Sequence, residues 1–234
     1  MANVKSLARE LRRAYELMFA RHGHQRWWPG ETPFEVCVGA ILTQNTNWNN
    51  VERAIANLKQ SGALTPSTLH ELPLARLAEL IRPAGYLNVK ARRLRAFTRC
   101  LIEEHGGELA QLFAGETATA RERLLAIHGI GPETADCMLL YAGDHLSFVI
   151  DAYTQRIFAR HDWLPATATY AEAQRACAGA LKNKPPAESL DYWQDYHAQI
   201  VMVGKSYCRP REPRCDQCPL KPLLPRSAPS AAEV

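Results

Sequence analysis

The sequence predicts an all-α protein. Apolar side chains recur at helical spacing along nearly the whole chain, and no segment shows the alternation of a half-buried strand. Glycine and proline residues divide this periodicity into segments of helix length. The 234 residues, 47% of them hydrophobic and 22% charged, suffice for one large domain or two small ones.

The positions of these glycine and proline residues predict where each helix begins and ends. A first helix places apolar groups from Leu7 to Phe19 on one face and ends before Gly23, and the segment 27–30 then interrupts the pattern. The remaining predicted helices cover residues 34–42, 51–58, several short stretches between Gly62 and Gly85, 90–105, 121–127, 132–141, 152–161, 170–181 and 190–204. We therefore expect about ten helices.

Charge and hydropathy limit the classes of partner. The net charge of +4 suits a nucleic-acid partner without requiring one. No apolar run approaches the roughly 20 residues that span a bilayer, and the N-terminus has no apolar signal-peptide core. We expect a cytoplasmic protein, associated with a bacterial nucleoid, that does not bind membranes.

The segment Ile127–Ala135 is the sharpest local signal. Gly129 and Gly131 flank Ile130 between two helical patterns, so both glycines are expected to permit positive φ and to leave backbone amides uncovered. Ile130 would anchor the turn, and Pro132 suits the first position of the next helix. An ordinary tight connection is the alternative, but amides at a helix start can bind a phosphate. The predicted phosphate contacts are Gly129, Ile130, Gly131 and Thr134.

A carboxylate follows an apolar stretch further along. Residues 148–150 lead to Asp151, which is placed to be the N-cap of a helix. A carboxylate held at a helix start stays ionised and rigid. The N-cap role and a chemical role are compatible.

The hairpin and the Val149-Ile150-Asp151 segment together resemble the endonuclease III superfamily of helix-hairpin-helix DNA glycosylases. Eighteen positions separate Glu133 from Asp151, which is that family's separation between catalytic lysine and aspartate. The resemblance runs from about residue 34 to residue 218. It implies a two-domain helix-hairpin-helix glycosylase fold with Asp151 in the cleft between the domains.

The resemblance also implies domain bounds. A six-helix barrel with the hairpin would cover 34–145. A second helical domain would combine 1–33 with 146–218 and carry the C-terminal cysteine loop. Residues 219–234 would form an irregular proline-rich tail.

The implied activity is base excision from duplex DNA. The enzyme would flip a damaged base out of the helix, and the Asp151 carboxylate would stabilise the oxocarbenium-like sugar and orient the attacking water. In bifunctional relatives an amine at position 133 attacks the sugar, but Glu133 has none. We therefore expect hydrolysis alone, unless Lys184 or Lys205 supplies an amine.

Aromatic residues indicate a substrate class. Trp27-Trp28-Pro29 and the segment from Leu42 to Trp48 are similar to the 3-methyladenine glycosylases related to endonuclease III. In that subgroup, aromatic residues matching Trp28 (or Trp27) and Trp48 sandwich the base. The residue matching Gln44 fills the gap in the duplex, and the lysine matching Lys205 lies near the catalytic carboxylate. Cation–π stacking suits a cationic alkylated purine.

Seven cysteines, an odd number, argue against a disulfide framework. Cys37, Cys100, Cys137 and Cys177 are expected to be buried thiols. Cys208, Cys215 and Cys218 have the spacing C-x6-C-x2-C, whereas the family has C-x6-C-x2-C-x5-C holding a [4Fe–4S] cluster. The fourth position is Leu224, so the sequence leaves open whether a cluster binds.

Three functions are therefore weighed. The first is a monofunctional alkylpurine DNA glycosylase, with damaged duplex DNA as its partner and a monomer as its active form. The second is an endonuclease III-like glycosylase and AP lyase on oxidised pyrimidines, against which Glu133 argues. The third is a non-enzymatic helix-hairpin-helix binding module, against which the retained Asp151 argues.

Overall fold

The computed structural model describes residues 4–182 and 186–225 and confirms the all-α prediction. Twelve α-helices and three short 3₁₀ helices, without a strand, form the described part of the chain. The helices are α1 Val4–His22, α2 Pro33–Thr43, α3 Trp48–Gln60, α4 Pro66–Glu71, α5 Leu74–Leu80, α6 Leu87–His105, α7 Leu109–Leu112, α8 Thr117–Ala126, α9 Pro132–Ala142, α10 Ala152–Arg160, α11 Tyr170–Leu181 and α12 Pro186–Ser206. The 3₁₀ helices are Arg82–Ala84, Cys215–Gln217 and Lys221–Leu223.

Two compact units make up the chain, one of residues 28–147 and one of residues 1–27 with 148–234. The 28–147 unit is built around α2, whose residues 34–42 are all buried. Helix α2 packs against α3, α6 and α9. Thr32 caps its start by accepting a hydrogen bond from the backbone of Glu35, and Pro33 occupies its first turn.

The other unit joins both ends of the chain. Helix α1 packs against α11 and α12, and α10 packs against α12. The Tyr196 hydroxyl donates to the Leu11 carbonyl at 2.9 Å, and buried Asp195 accepts a hydrogen bond from Tyr15 at 2.9 Å. These bonds fix α12, which carries residues of the candidate site.

The predicted count of about ten helices was too low. The single-turn helix α7 has too few residues to show a period, and several helices begin earlier than their apolar pattern does. Helix α3, for example, begins at Trp48 because Asn47 caps it. Among the described residues, no helix is both long and apolar enough to cross a membrane. Lys184 and residues 226–234 of the predicted tail lie outside the described residues.

Candidate functional site

The predicted hairpin lies between α8 and α9. Both glycines permit positive φ, but only Gly129 adopts it, with φ +88°, whereas Gly131 has φ −92° and ψ 177°. Gly131 is extended because it is the N-cap of α9, with Pro132 in the first turn. Ile130 is buried, as an anchor requires.

The start of α9 presents backbone amides. The Ala135 amide bonds to the Gly131 carbonyl at 2.9 Å, and the amides before it have no acceptor within the helix. The side chain of Thr134 is buried and its hydroxyl accepts from Gln44 Nε2 at 2.9 Å. That side chain therefore faces the interior, and only the Thr134 backbone remains a candidate phosphate contact.

The side-chain amide of Gln44 bonds to this hairpin through its nitrogen and to Arg93 of α6 through its oxygen. Its Nε2 also donates to the Gly129 carbonyl at 3.0 Å, and its Oε1 accepts from Arg93. The Arg93 side chain lies directly against Gly129, since a Cβ added there would stand 2.3 Å from Arg93 Cγ. Gln44 would have to break these bonds to enter a duplex.

A buried lysine holds the segment before Gln44. Lys90, which is 1% exposed, donates to the carbonyls of Leu42 and Ala84 at 2.8 Å each. Burial, with a smaller effect from Arg93, lowers the pKa of Lys90 to about 8. The ammonium thus closes the end of α2 and fixes the start of the loop that carries Gln44.

Asp151 is the N-cap of α10 and is buried. Its Oδ1 accepts from the Thr154 amide at 2.7 Å and from the Thr154 hydroxyl at 2.8 Å, while Oδ2 lies 3.6 Å from His197 Nε2. Burial raises the pKa of this carboxyl, but His197 and the two Thr154 donors outweigh it, and the net pKa is lowered. Asp151 is therefore a rigid anion at neutral pH.

Aromatic rings cluster in the 28–147 unit. The Trp28 and Trp48 ring centroids are 5.1 Å apart with planes at 89°, and Trp28 also contacts Tyr141 at 5.5 Å. The two tryptophans are thus edge to face in this structure, whereas the resemblance implies that a base is sandwiched between two rings. The Trp48 indole donates to Glu52 at 2.7 Å. Gly39 lets Trp28 lie on α2, since an added Cβ would approach Trp28 Nε1 to 3.3 Å.

Trp27 belongs to the other unit, together with the other predicted pocket residue, Lys205. The Lys205 ammonium lies 6.0 Å from the centroid of the Trp27 ring, a distance compatible with a cation–π contact. Glu133 is exposed in the first turn of α9. A carboxylate there complements the helix dipole and offers no nucleophilic nitrogen.

The cysteine loop follows α12. Cys208 Sγ accepts from Arg160 Nη1 at 3.3 Å. The pKa of Cys218 is raised to about 11, first by burial and then by the charges of Cys208 and Cys215, against the lowering effect of backbone amides at Leu220 and Lys221.

Cys208, Cys215 and Cys218 keep the C-x6-C-x2-C spacing of three ligands of a [4Fe–4S] cluster. Leu224 offers no donor atom at the fourth position, so the residues do not fit the four-cysteine cluster. Elsewhere, Cys37, Cys137 and Cys177 are buried as expected, but Cys100 is only partly buried.

Several residues at these sites were not predicted from the sequence. His197 beside Asp151, Arg93 against Gly129 and Tyr141 beside Trp28 all come from distant segments, so no local spacing signals them. Glu52 lies one helical turn after Trp48, and this spacing could have revealed it.

Comparisons with known proteins agree with this arrangement. A family model described as "HhH-GPD superfamily base excision DNA repair protein" matches residues 38–183. A Methanocaldococcus jannaschii protein named "Putative DNA repair glycosylase MJ1434" is 46% identical over 209 residues, which are 88% of this chain and 92% of that protein.

Two solved structures share the fold. A non-covalent endonuclease III–DNA complex has a TM-score of 0.77 at 21% identity and covers 93% of this chain and 94% of that one. An H. pylori 3-methyladenine DNA glycosylase bound to 1,N6-ethenoadenine has a TM-score of 0.72 at 25% identity and covers 85% of this chain and 97% of that one. The family match includes both the hairpin and Asp151.

Proposed function

The chain belongs to the HhH-GPD superfamily of base excision DNA repair proteins and is a DNA glycosylase; we propose that it acts by hydrolysis alone, on alkylated purines of the 3-methyladenine type. The geometry of Asp151 is the observation that carries the glycosylase chemistry, which the absence of an amine at Glu133 and the tryptophan rings then refine. A buried carboxylate whose Oδ1 takes two hydrogen bonds is held as an anion in one place. Such an anion stabilises positive charge as it develops on the sugar.

Glu133 supports hydrolysis without strand cleavage. A lyase needs an amine that forms a Schiff base with the sugar, and the first turn of α9 presents a carboxylate instead. In the proposed reaction, the bond between the sugar and the base breaks, the base leaves with the bonding electrons, and water adds to the sugar. Asp151 orients this water or accepts its proton.

The aromatic cluster supports a cationic base. The faces of tryptophan rings attract cations by roughly 0.5–2 kcal/mol, more where water is excluded. The Glu52 carboxylate at the Trp48 indole adds negative charge beside that ring. Because the two indoles are perpendicular, we propose that the base stacks on one ring face or that the rings separate to admit it. The H. pylori relative, with an ethenoadenine bound, is consistent with a purine pocket.

The hairpin supports the contact with DNA. Backbone amides at the start of α9 would hold a phosphate oxygen, which positions the duplex without reading its sequence. Gln44, once released from Arg93 and Gly129, would fill the gap left by the flipped nucleotide. No step of this mechanism uses an iron–sulfur cluster.

A panel of duplexes tests the proposal. Each would carry one of 3-methyladenine, 7-methylguanine, hypoxanthine, uracil or thymine glycol, and would be incubated with protein and then with or without alkali. We expect release of the methylated purines, with strand breaks only after alkali. Release of thymine glycol with breaks in the absence of alkali, together with a borohydride-trapped complex, would instead establish the lyase alternative.

A further inference from the structure

The two oxygens of Asp151 have different surroundings. Both donors of Thr154 converge on Oδ1, at 2.7 Å and 2.8 Å. Oδ2 lies 3.6 Å from Nε2 of His197, on α12. Both side chains are buried, with 4% of His197 exposed.

Contacts to Oδ1 alone do not orient a carboxylate. They fix one oxygen as a pivot, but the terminal torsion of aspartate is broad, so the second oxygen can still swing about it. A further contact at Oδ2 is needed to set the plane of the group. The structure supplies that contact from α12, which packs closely on α10. The close packing is possible because Gly204 leaves room for Tyr153, and an added Cβ there would stand 2.3 Å from Tyr153 Cδ1.

We propose that His197 is a positioning residue for base excision: through Nε2 it sets the plane of the Asp151 carboxylate and so directs Oδ2, the less occupied oxygen, at the water and the sugar. This inference rests on the proposed function of Asp151. In this arrangement two helices hold the Asp151 carboxylate. Helix α10 supplies the anion and its pivot, and α12 supplies its orientation.

Two amide substitutions at His197 form a matched test. His197→Gln places an amide nitrogen near the position of the histidine Nε2, whereas the shorter His197→Asn places one near Nδ1 and does not reach Asp151. Both variants are uncharged and polar. Their thermal stability and duplex affinity would be measured beside their single-turnover rate of base release, at a temperature where both are folded.

We expect His197→Asn to lose roughly 10- to 100-fold in rate, the loss that a small displacement of a catalytic group produces, with duplex affinity nearly unchanged. His197→Gln should recover most of that rate. A purely structural role would lower the stability of the variants without separating their rates. Equal rates for the two variants would therefore overturn the proposal.

Two further measurements complete the test. If either variant does not fold, the ¹⁵N resonances of His197 in the parent can be compared with those in Asp151→Asn. We expect them to shift, and unchanged resonances would overturn the proposal. Asp151→Asn also separates the two levels of inference. If its rate matches the parent, the proposed function fails, and if only the His197 variants match the parent, the positioning role alone fails.

Discussion

The hairpin glycines make a quantitative prediction, because the structure gives them opposite conformations. Gly129 has φ +88°, and an alanine Cβ there would meet Arg93 Cγ at 2.3 Å and Cδ at 2.7 Å. Gly131 has φ −92°, and an alanine Cβ there would meet nothing within 4 Å. Gly129→Ala and Gly131→Ala are therefore a matched pair only two residues apart.

The cost of Gly129→Ala has two parts. A left-handed conformation costs an L-residue roughly 1–2 kcal/mol. Displacing Arg93 breaks its hydrogen bond to Gln44, and a bond to a charged group contributes about 1.5–3 kcal/mol. Alanine also lowers the conformational entropy of the unfolded chain, which stabilises the folded state by about 0.4–1 kcal/mol and offsets part of this cost. We expect a net loss of stability of about 1.5–4.5 kcal/mol.

For Gly131→Ala the same entropy gain is offset by the weaker N-cap that alanine makes, so the expected change is within about 1 kcal/mol of zero. Urea unfolding followed by circular dichroism measures both variants against the parent. Equal stabilities for the two alanine variants would mean that neither the φ of Gly129 nor its contact with Arg93 contributes to stability.

Three more predictions follow from particular contacts. Lys90→Met leaves the carbonyls of Leu42 and Ala84 without their hydrogen-bond donor, and should lower the free energy of unfolding by about 2–4 kcal/mol. The pKa of Lys90 in the folded protein, about 8, lies below the ordinary value of 10.5, so the unfolded state binds more protons than the folded state between these two pH values. The free energy of unfolding of the parent should therefore rise relative to that of the variant as the pH increases from about 8 to 10.5. A difference in urea unfolding that does not change with pH would contradict this. Leu224→Cys completes the four-cysteine spacing and should raise the iron and sulfide bound after anaerobic reconstitution, and equal content in the parent would show that three cysteines suffice. Trp48→Leu should slow release of cationic 7-methylguanine by roughly 2- to 30-fold, as loss of a cation–π contact implies, with less effect on neutral hypoxanthine, and equal effects on both bases would exclude that contact.

The sequence revealed local features well. Helical periodicity and breakers predicted the fold class, and Tyr170–Leu181 has the bounds that the pattern predicted. Asp151 as an N-cap and Pro132 in a first helical turn follow from preferences that act within a few residues. Such features depend on backbone atoms only a few residues away, so they can be predicted from a single sequence.

Tertiary contacts were harder to predict. The φ of Gly131 depends on its N-cap role, and the perpendicular rings of Trp28 and Trp48 depend on how segments far apart in the chain pack. His197 lies 46 positions after Asp151, and no local pattern marks that pair. Individual residues of the candidate site could therefore be predicted from the sequence, but the side chains that contact them could be identified only from the structure.

Base excision by this protein depends on the negative charge of Asp151, and the Asp151→Asn variant removes that charge alone. Asparagine is an equally good N-cap, so this substitution removes the charge while keeping the hydrogen-bond pattern with Thr154. The measurement is the single-turnover rate of release of a methylated purine from a saturated duplex, with duplex affinity as the control. We expect the variant to have a rate at least about 100-fold lower than that of the parent, with duplex affinity nearly unchanged. A rate equal to that of the parent would contradict this expectation.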